Sequence, residues 1–321
     1  MVEIDKASWD NFVRAHGGSI LQYSFWGDLQ ETAGSNIIAI EGEHFKALAK
    51  QKTFPLGVTG LNVSYGPVIS SDTGLREFTD TLKKRPDSFV LASFSLPKEK
   101  NYELELKKLG WKAAKADEPE STQIIDLSLD EKSLYEAINK TVRYEIRQAE
   151  AGGVSLTGDA EESGLEDFLK LLEKTTERQK FRSHDPGYLR TSFSFLRQQG
   201  RVRIFRAQIE GKTIAACLVY NDDETAYYMH AASDGISRKF KPANLVMWAA
   251  IRDAKARGFK TFDLWGVAPA DDPKHPWAGL SFFKKRFGGT QVDYVGGYVL
   301  VLHPLKYALY QAGKSLNRGL R

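Results

Sequence analysis

The sequence predicts a mixed α/β protein with two tandem domains of the same architecture. A chain of 321 residues is long enough for about two domains, each with its own hydrophobic core. Helical and strand-like patterns alternate in both halves, and each half reads as helices, an antiparallel meander, a helix and one further strand. No segment rich in proline, glycine or serine separates the halves, and the polar stretch 115–121 is the best boundary candidate.

The composition is typical of a soluble globular protein and excludes collagen-like, disordered and disulfide-scaffold chains. Hydrophobic residues make up 42% of the chain and charged residues 27%. The lone cysteine, Cys217, lies in an apolar strand-like run, which favours a reducing compartment. Residues 1–10 lack an apolar signal segment, and the clean apolar run 245–251 is far shorter than the ~20 residues of a spanning helix. We therefore expect a cytoplasmic protein, and we expect no metal site because no Cys/His grouping has ligand spacing.

The first half is expected to begin with a helix. Ser8 is a plausible N-cap for it, because Trp9, Phe12 and Val13 share one helical face. The remaining elements follow from apolar runs between turn residues: strands over 37–40, 45–49, 61–69 (interrupted at Gly66-Pro67) and 89–94, helices over 75–82 and 102–109, and a short strand from Trp111.

The second half is expected to begin with one helix over 134–149, in which apolar residues recur every three or four positions. The other predicted elements are a helix around 165–172, meander strands over 202–209, 213–220 and 226–232, a helix over 244–257 and a strand over 261–264.

This order of elements resembles the N-acetyltransferase-type fold, used twice. Acetyltransferases of this fold hold the pyrophosphate of coenzyme A on the backbone N–H groups of a glycine-rich turn, before the helix that follows the meander. Here the turn reads Arg-Lys-Phe-Lys-Pro-Ala over 238–243, so Lys241 replaces the first glycine and Pro242 has no N–H. Unless Lys239 and Lys241 compensate by charge, the sequence predicts another acyl donor and no bound cofactor.

Five segments carry a resemblance to a known family. In chain order they are 20–27 (Ile-Leu-Gln-Tyr-Ser-Phe-Trp-Gly), 64–68 (Ser-Tyr-Gly-Pro-Val), 141–147 (Thr-Val-Arg-Tyr-Glu-Ile-Arg), 176–181 with Tyr188-Leu189, and 279–289 (Gly-Leu-Ser-Phe-Phe-Lys-Lys-Arg-Phe-Gly-Gly). The chain resembles the Fem-type non-ribosomal peptidyltransferases, which add amino acids from aminoacyl-tRNA to the stem peptide of peptidoglycan precursors. The last segment is the most specific, and the order of all five is more specific than any one.

The resemblance implies two acetyltransferase-like (GNAT) domains. The first would span 1–128 and be completed by 296–321, and the second would span 129–295 and carry the catalytic lysine. The coiled-coil arm that some members insert is not expected, because no segment sustains heptads.

The resemblance also implies a reaction, the aminolysis of an ester. A free amine of the stem peptide attacks the carbonyl of aminoacyl-tRNA, and the tetrahedral intermediate carries an oxyanion that a cation in a dry pocket would stabilise. The motif assigns this role to Lys284, with Phe283 packed against the acceptor end of the tRNA. Lys285 and Arg286 are expected to hold tRNA phosphates.

The acceptor would be a UDP- or lipid-linked muramyl peptide, whose diphosphate and carboxylates require cations and phenols. Tyr188 matches a loop tyrosine of the family, and His184 stands at its diphosphate-binding arginine, with Arg182 two residues away. Three further candidates for binding the acceptor are Trp26, Tyr65 and His230. For Trp26 and Tyr65 the competing interpretation is that they pack in the core.

The C-terminal segment is basic and amphipathic. Residues 301–321 contain four basic residues and no acidic one, and an apolar stripe runs along the predicted helix through Leu305, Leu309, Ala312 and Leu316. Packing of this stripe on the first domain is the favoured interpretation, and contact of 303–321 with an anionic membrane is the competing one.

Two other functions stay open. The chain could be a coenzyme A-dependent N-acyltransferase of another amine, against which the Lys241-Pro242 turn argues. It could also be a non-catalytic protein that binds tRNA or the precursor, and an assay of transfer from charged tRNA discriminates it from the enzyme.

Overall fold

The computed structural model describes residues 4–179, 183–235, 240–269, 272 and 274–319. The chain forms two compact units, Met1–Glu120 with Asp293–Arg321, and Ser121–Val292. Both units combine helices with a mixed sheet, so the predicted α/β class is confirmed. None of the helices in the described ranges has both the length and the apolar character needed to cross a membrane.

The elements follow one another along the chain with short connections. The helices are α1 (Lys6–Ala15), α2 (Ser24–Thr32), α3 (Gly74–Lys83), α4 (Tyr102–Lys108), α5 (Glu131–Ala137), α6 (Lys140–Ala151), α7 (Glu162–Gln179), α8 (Pro186–Gln198), α9 (Pro242–Ala256), α10 (Ala278–Lys285) and α11 (Pro304–Gly319). The strands are β1 (Asn36–Glu41), β2 (Phe45–Phe54), β3 (Val58–Ser64), β4 (Val68–Ile69), β5 (Phe89–Pro97), β6 (Lys112–Ala113), β7 (Ser121–Asp126), β8 (Ser155–Asp159), β9 (Val202–Ile209), β10 (Lys212–Asn221), β11 (Thr225–Ser233), β12 (Thr261–Gly266) and β13 (Thr290–Val301).

The sheet of the first unit runs in the order β1-β2-β3-β5-β13, with β4 beside β2 and β6 beside β13. β3 and β5 are parallel, and the other neighbours are antiparallel. Its core contains Trp111, whose ring stacks on Phe78 and whose indole N–H donates to the Thr79 hydroxyl at 3.0 Å. The indole therefore buries a large apolar surface without leaving its polar group unsatisfied.

Asp5, not Ser8, caps the first helix, so the predicted cap was wrong. The Asp5 carboxylate accepts hydrogen bonds from the N–H groups of Ala7 (3.1 Å) and Ser8 (3.2 Å). A carboxylate satisfies these free N–H groups and also interacts favourably with the positive end of the helix dipole.

The last helix packs through its tyrosines, so the predicted packing of its leucine stripe was wrong. Tyr310 lies 4.8 Å from Phe54 and 4.5 Å from Phe89, measured between ring centres, and Tyr307 lies 5.2 Å from Phe89. Leu305 is 85% exposed and Leu309 is 49% exposed. Large aromatic rings bury more area than leucine, and they turn the leucines outward.

The sheet of the second unit runs in the order β7-β12-β11-β10-β9-β8. The three predicted meander strands are confirmed as β9, β10 and β11, and α6 and α9 pack on the sheet through a continuous apolar core. β7 pairs with β12, so the second unit begins at Ser121, eight residues before the boundary expected from the sequence.

The helix predicted over 134–149 is two helices, α5 and α6. Ile138 is extended, and the Asn139 side chain accepts a hydrogen bond from the Thr141 N–H at 3.0 Å. Asparagine is among the best N-caps, so it starts a new helix even though the apolar spacing continues through the break.

The sheet of the second unit separates between β11 and β12. These two parallel strands pair only over Thr225–Tyr227 and Thr261–Asp263 within the described residues. Beyond that point β11 stays paired with β10 as far as Ser233, and β12 stays with β7 as far as Gly266. Beyond Tyr227 and Asp263 the facing edges of β11 and β12 are no longer paired with each other. The candidate site lies at this end of β12.

The two faces of α11 give a direct test of its packing. We expect Tyr310→Ala to lower the free energy of unfolding by about 2 kcal/mol, because it removes two aromatic contacts. Leu309→Ala is the matched control and should change it by less than about 0.5 kcal/mol. Urea denaturation of both variants measures this, and a larger loss in Leu309→Ala would contradict the orientation of the helix.

Candidate active site

Lys284, the predicted catalytic residue, lies on the buried face of α10. Its side chain is 4% exposed, and its Nζ donates a hydrogen bond to the Gly266 carbonyl at 2.8 Å. An ammonium group carries three N–H groups, and within the part of the chain that the structure describes only this carbonyl accepts one. Buried charges are normally fully paired, so the two remaining N–H groups indicate a place for a ligand.

Ser281, one turn before Lys284, fixes α10 against the chain that follows β12. The Ser281 hydroxyl accepts a hydrogen bond from the Ala268 N–H at 2.6 Å and donates one to the Trp277 carbonyl at 2.8 Å. Ser281 and Lys284 therefore both bond to the segment 266–268, which sets the position of the helix along it.

Asp263 shapes the turn whose carbonyl binds Lys284. One oxygen of its carboxylate, Oδ1, accepts hydrogen bonds from the Trp265 N–H at 2.7 Å and from the Thr122 hydroxyl. Trp265 has a φ of 60°, a left-handed conformation that costs energy in a residue other than glycine. The bonds to Asp263 hold this conformation, and the turn then directs the Gly266 carbonyl to Lys284.

The two buried charges influence each other. Burial lowers the pKa of Lys284 to about 8, and the Asp263 carboxylate opposes this shift. Burial raises the pKa of Asp263 to about 6, although the hydrogen bonds from Thr122 and Trp265 oppose it. At pH 7 both groups are mainly charged, and an ammonium with a pKa this close to neutrality is typical of a functional site.

A cavity of about 230 Å³ opens beside Phe283, the residue before Lys284. Glu145 lines it: the carboxylate is 3.6 Å from the Arg286 guanidinium, 3.5 Å from the Lys241 ammonium and 2.7 Å from the Asn244 amide nitrogen. The cavity is therefore lined by the aromatic ring of Phe283, by the Glu145 carboxylate and by the two cations paired with it.

Coenzyme A does not fit the start of α9, at the edge of this cavity. Pro242 occupies the first turn without an N–H, and the Asn244 N–H already donates to the Lys241 carbonyl at 3.0 Å. The Glu145 carboxylate adds a negative charge where a pyrophosphate would have to lie. Lys239, which could compensate by charge, lies outside the described residues.

Three predicted substrate-binding residues lie together elsewhere in the second unit. The ring of His184 is 5.2 Å from that of Tyr188 and 5.4 Å from that of His230, and His230 also packs 5.8 Å from Tyr220. Burial lowers the pKa of His230 to about 3, and the neighbouring His184 acts in the same direction. His230 is therefore neutral at pH 7 and cannot attract a diphosphate by charge.

Tyr188 lies in a helix and not in the predicted loop. Asp185 caps α8 by accepting hydrogen bonds from the N–H groups of Gly187 (2.8 Å) and Tyr188 (3.2 Å). Pro186 stands at the first helical position, where proline is favoured, so Asp185-Pro186 was a readable start signal.

Comparison with known proteins shows which domains and enzymes the chain resembles. Residues 137–275 match the acetyltransferase (GNAT) domain family. The lipid II:glycine glycyltransferase of Staphylococcus haemolyticus (strain JCSC1435) is 21% identical and covers 98% of this chain and 95% of its own length. The crystal structure of FemX matches with a TM-score of 0.83 at 18% identity, over 96% of this chain and 98% of that one. The chain therefore resembles these glycyltransferases in sequence over nearly its whole length and has the fold of FemX.

The GNAT-domain match and the glycyltransferase relatives identify the chain as an acyltransferase. A tandem GNAT protein from the clavulanic acid biosynthesis pathway also shares the fold, with a TM-score of 0.55 at 12% identity over 92% of this chain and 94% of that one. The predicted pair of tandem GNAT-like domains is confirmed. No coiled-coil arm is present in the described ranges, where the longest helix has 18 residues.

The remaining residues of the Fem-type motif are at the end of α10. Lys285 is exposed, whereas Arg286 is half-buried, with its guanidinium near Glu145 and 5.5 Å from the centre of the Phe282 ring. Phe282 is 68% exposed. An exposed aromatic ring beside cations is the kind of surface that binds single-stranded nucleic acid.

The first unit holds the other predicted residues. Trp26 is half-buried in the first turn of α2. Tyr65 is 4% exposed, and its hydroxyl donates to the Pro119 carbonyl at 2.6 Å, which is the environment of a core residue. Arg182 lies outside the described residues.

Sequence reasoning missed the residues that support the site. Asp263 is an acidic residue in an apolar strand, and Glu145 is an acidic residue in a basic helix. These two patterns weakly indicate a buried charge and a paired charge, respectively. Nothing in the sequence indicated that Thr122 or Gly266 would meet them. Tyr220 was hidden in the strand that contains Cys217.

The coupling between Asp263 and Lys284 can be measured without any substrate. We expect the Lys284 side chain to titrate at about pH 8, and Asp263→Asn to move the midpoint to lower pH, because the carboxylate that favours the ammonium is lost. NMR of selectively labelled lysine side chains measures both midpoints, and Lys284→Arg assigns the signal. An unchanged midpoint in Asp263→Asn would contradict the coupling.

Proposed function

We propose that the chain is an aminoacyltransferase that moves an amino acid from aminoacyl-tRNA to the stem-peptide amine of a peptidoglycan precursor. The likeness to FemX supports this, as do relatives named lipid II:glycine glycyltransferase. The observation that carries the proposal is the buried ammonium of Lys284, which has two N–H groups beyond the one that Gly266 accepts.

The reaction needs charge stabilisation more than it needs a nucleophile from the protein. The acceptor amine forms a C–N bond to the ester carbonyl, the C–O bond to the ribose breaks, and the proton of the amine ends on the ribose oxygen. The intermediate carries a negative oxygen, and the Lys284 ammonium would donate a hydrogen bond to it in a site of low dielectric. Asp263 would keep that ammonium protonated and in place.

The surfaces around Lys284 support aminoacyl-tRNA as the donor. The start of α9 is unsuited to coenzyme A, whereas an aminoacyl ester of tRNA is already activated. Phe283 would contact the acceptor end, where an exposed base can stack on an aromatic ring, and Lys285 with Arg286 would bind phosphates. Because the named relatives are glycyltransferases, glycyl-tRNA is the first donor to test.

The acceptor would be a UDP- or lipid-linked muramyl peptide. Tyr188, Tyr220 and His230 offer hydroxyl and neutral imidazole groups for its peptide, and His184 with Arg182 would meet its diphosphate. The enzyme would act in the cytoplasm and, with a lipid-linked acceptor, at the inner face of the membrane, which residues 303–321 would contact.

A single-turnover assay with charged tRNA and both acceptors tests the proposal. We expect Lys284→Met to lower the transfer rate by about 10²–10³-fold, because one donor to an oxyanion is worth about that factor. Lys285→Met is the matched control on the adjacent exposed lysine: it should weaken tRNA binding and leave the rate at saturation nearly unchanged.

The pH dependence separates the role of Lys284 from a structural one. The wild-type rate should fall as the pH rises through about 8, where the Lys284 ammonium loses its proton. If the wild type transfers no amino acid to either acceptor from any charged tRNA, the chain is not this enzyme. If it transfers and Lys284→Met does so equally well, the assignment of Lys284 is wrong.

A further inference from the structure

Two neighbouring elements of the first unit expose leucines to solvent. The turn between β2 and β3 presents Leu56, which is 77% exposed, and α11 presents Leu305 and Leu309, which are 85% and 49% exposed. We call this set, with its neighbouring cations, the leucine–lysine surface; it consists of Leu56, Leu305, Leu309, Lys52, Lys306 and Lys314.

The core holds the two elements of the leucine–lysine surface side by side. Phe54 ends β2, immediately before the turn that carries Leu56, and its ring lies 4.8 Å from that of Tyr310 on α11. Tyr310 and Tyr307 pack inward on Phe89, so the leucines, which lie on the opposite side of the same helix, face outward. The exposure is therefore fixed by packing.

Leu56 stands at the tip of this turn in an unfavourable conformation. Its φ is 62°, a region that favours glycine, and Gly57 directly follows it. A polar residue or a glycine would serve a tight turn in water better than a leucine does. A leucine at position 56 is explained if the tip of the turn enters the apolar part of a lipid bilayer.

The charged residues within these two segments are all lysines. Lys306 directly follows Leu305 and is exposed, and Lys52 and Lys314 are exposed near the contact between Phe54 and Tyr310. Neither 52–57 nor 304–314 contains an acidic residue. A second copy of the chain on this face would bring lysines against lysines, whereas an anionic bilayer would accept both the leucines and the lysines.

We propose that the leucine–lysine surface docks the protein on an anionic lipid bilayer, with the Leu56 tip and the outer face of α11 in the headgroup region. The inference rests on the membrane contact of residues 303–321 in the proposed function and deepens it by adding the Leu56 tip and the chemistry of the lipid, and it would bring the enzyme to a lipid-linked acceptor. The sequence indicated only the α11 part of this surface; the Leu56 tip comes from the fold.

Vesicle flotation of the full chain tests this proposal without any acceptor or tRNA. We expect binding to vesicles of phosphatidylglycerol and phosphatidylcholine, weakening with added salt, and little binding to phosphatidylcholine alone. Leu305→Gln with Leu309→Gln should lower the bound fraction at least about tenfold, and Leu56→Gln should lower it by a smaller factor. The matched control is Leu104→Gln with Leu129→Gln, two leucines that are 57% and 46% exposed elsewhere, which should bind like the wild type.

Three results would overturn the proposal. In the first, the wild type does not float with the vesicles that contain phosphatidylglycerol. In the second, the bound fraction falls equally in the two double variants. In the third, the wild type binds equally to vesicles with and without phosphatidylglycerol. A dimer in sedimentation that only Leu305→Gln with Leu309→Gln dissolves would identify a second copy as the occupant instead. Transfer to a nucleotide-linked acceptor in solution should be the same in wild type and double variant, so loss of docking is distinguished from failure of the proposed reaction.

Discussion

The buried ammonium of Lys284, which among the described residues is bonded to one backbone carbonyl, is the constraint on which the second unit's site depends. Removing a charge from water costs several kcal/mol unless it is well paired. Asp263 lies near enough to favour the ammonium, and it also holds the turn that supplies the Gly266 carbonyl. If position 284 only had to fill space in the core, an uncharged side chain such as methionine or leucine would serve better than lysine. Retaining a charge there costs stability, and the proposed function accounts for that cost by the negative charge that would appear during the reaction.

The second unit has the acetyltransferase fold but lacks the features that usually bind coenzyme A at the start of α9. The sheet separates between β11 and β12, and α9 begins at the edge of the opening. Pro242 removes an N–H, the Lys241 carbonyl occupies another, and Glu145 places a carboxylate beside the helix start. These changes disfavour a pyrophosphate while the sheet and helices stay as they are. In the proposed function the chemistry depends on α10, which carries Lys284 and the exposed ring of Phe282.

Much of the fold could be predicted because strands and helices differ in apolar period, and the meander strands follow that rule closely. The errors have physical causes. Apolar spacing continues through Asn139, so only the capping side chain reveals the break between α5 and α6. Both sides of α11 are apolar, and the choice between its tyrosines and its leucines depends on Phe54 and Phe89, which are distant in sequence. For the site, the motif indicated Lys284, but its partners could not be predicted: Thr122 and Asp263, which share a hydrogen bond, are 141 residues apart.

The central claim is that Lys284 binds the oxyanion of the intermediate and not the planar ester. The most direct measurement compares the affinities of two inert ligands that join the aminoacyl end of the tRNA to the acceptor peptide. One carries a tetrahedral phosphonate at the reacting carbon and the other a planar amide. The account predicts that Lys284→Met loses about 10²-fold in affinity for the phosphonate and little for the amide, while Lys285→Met weakens both equally. Equal losses for the two ligands in Lys284→Met would contradict it.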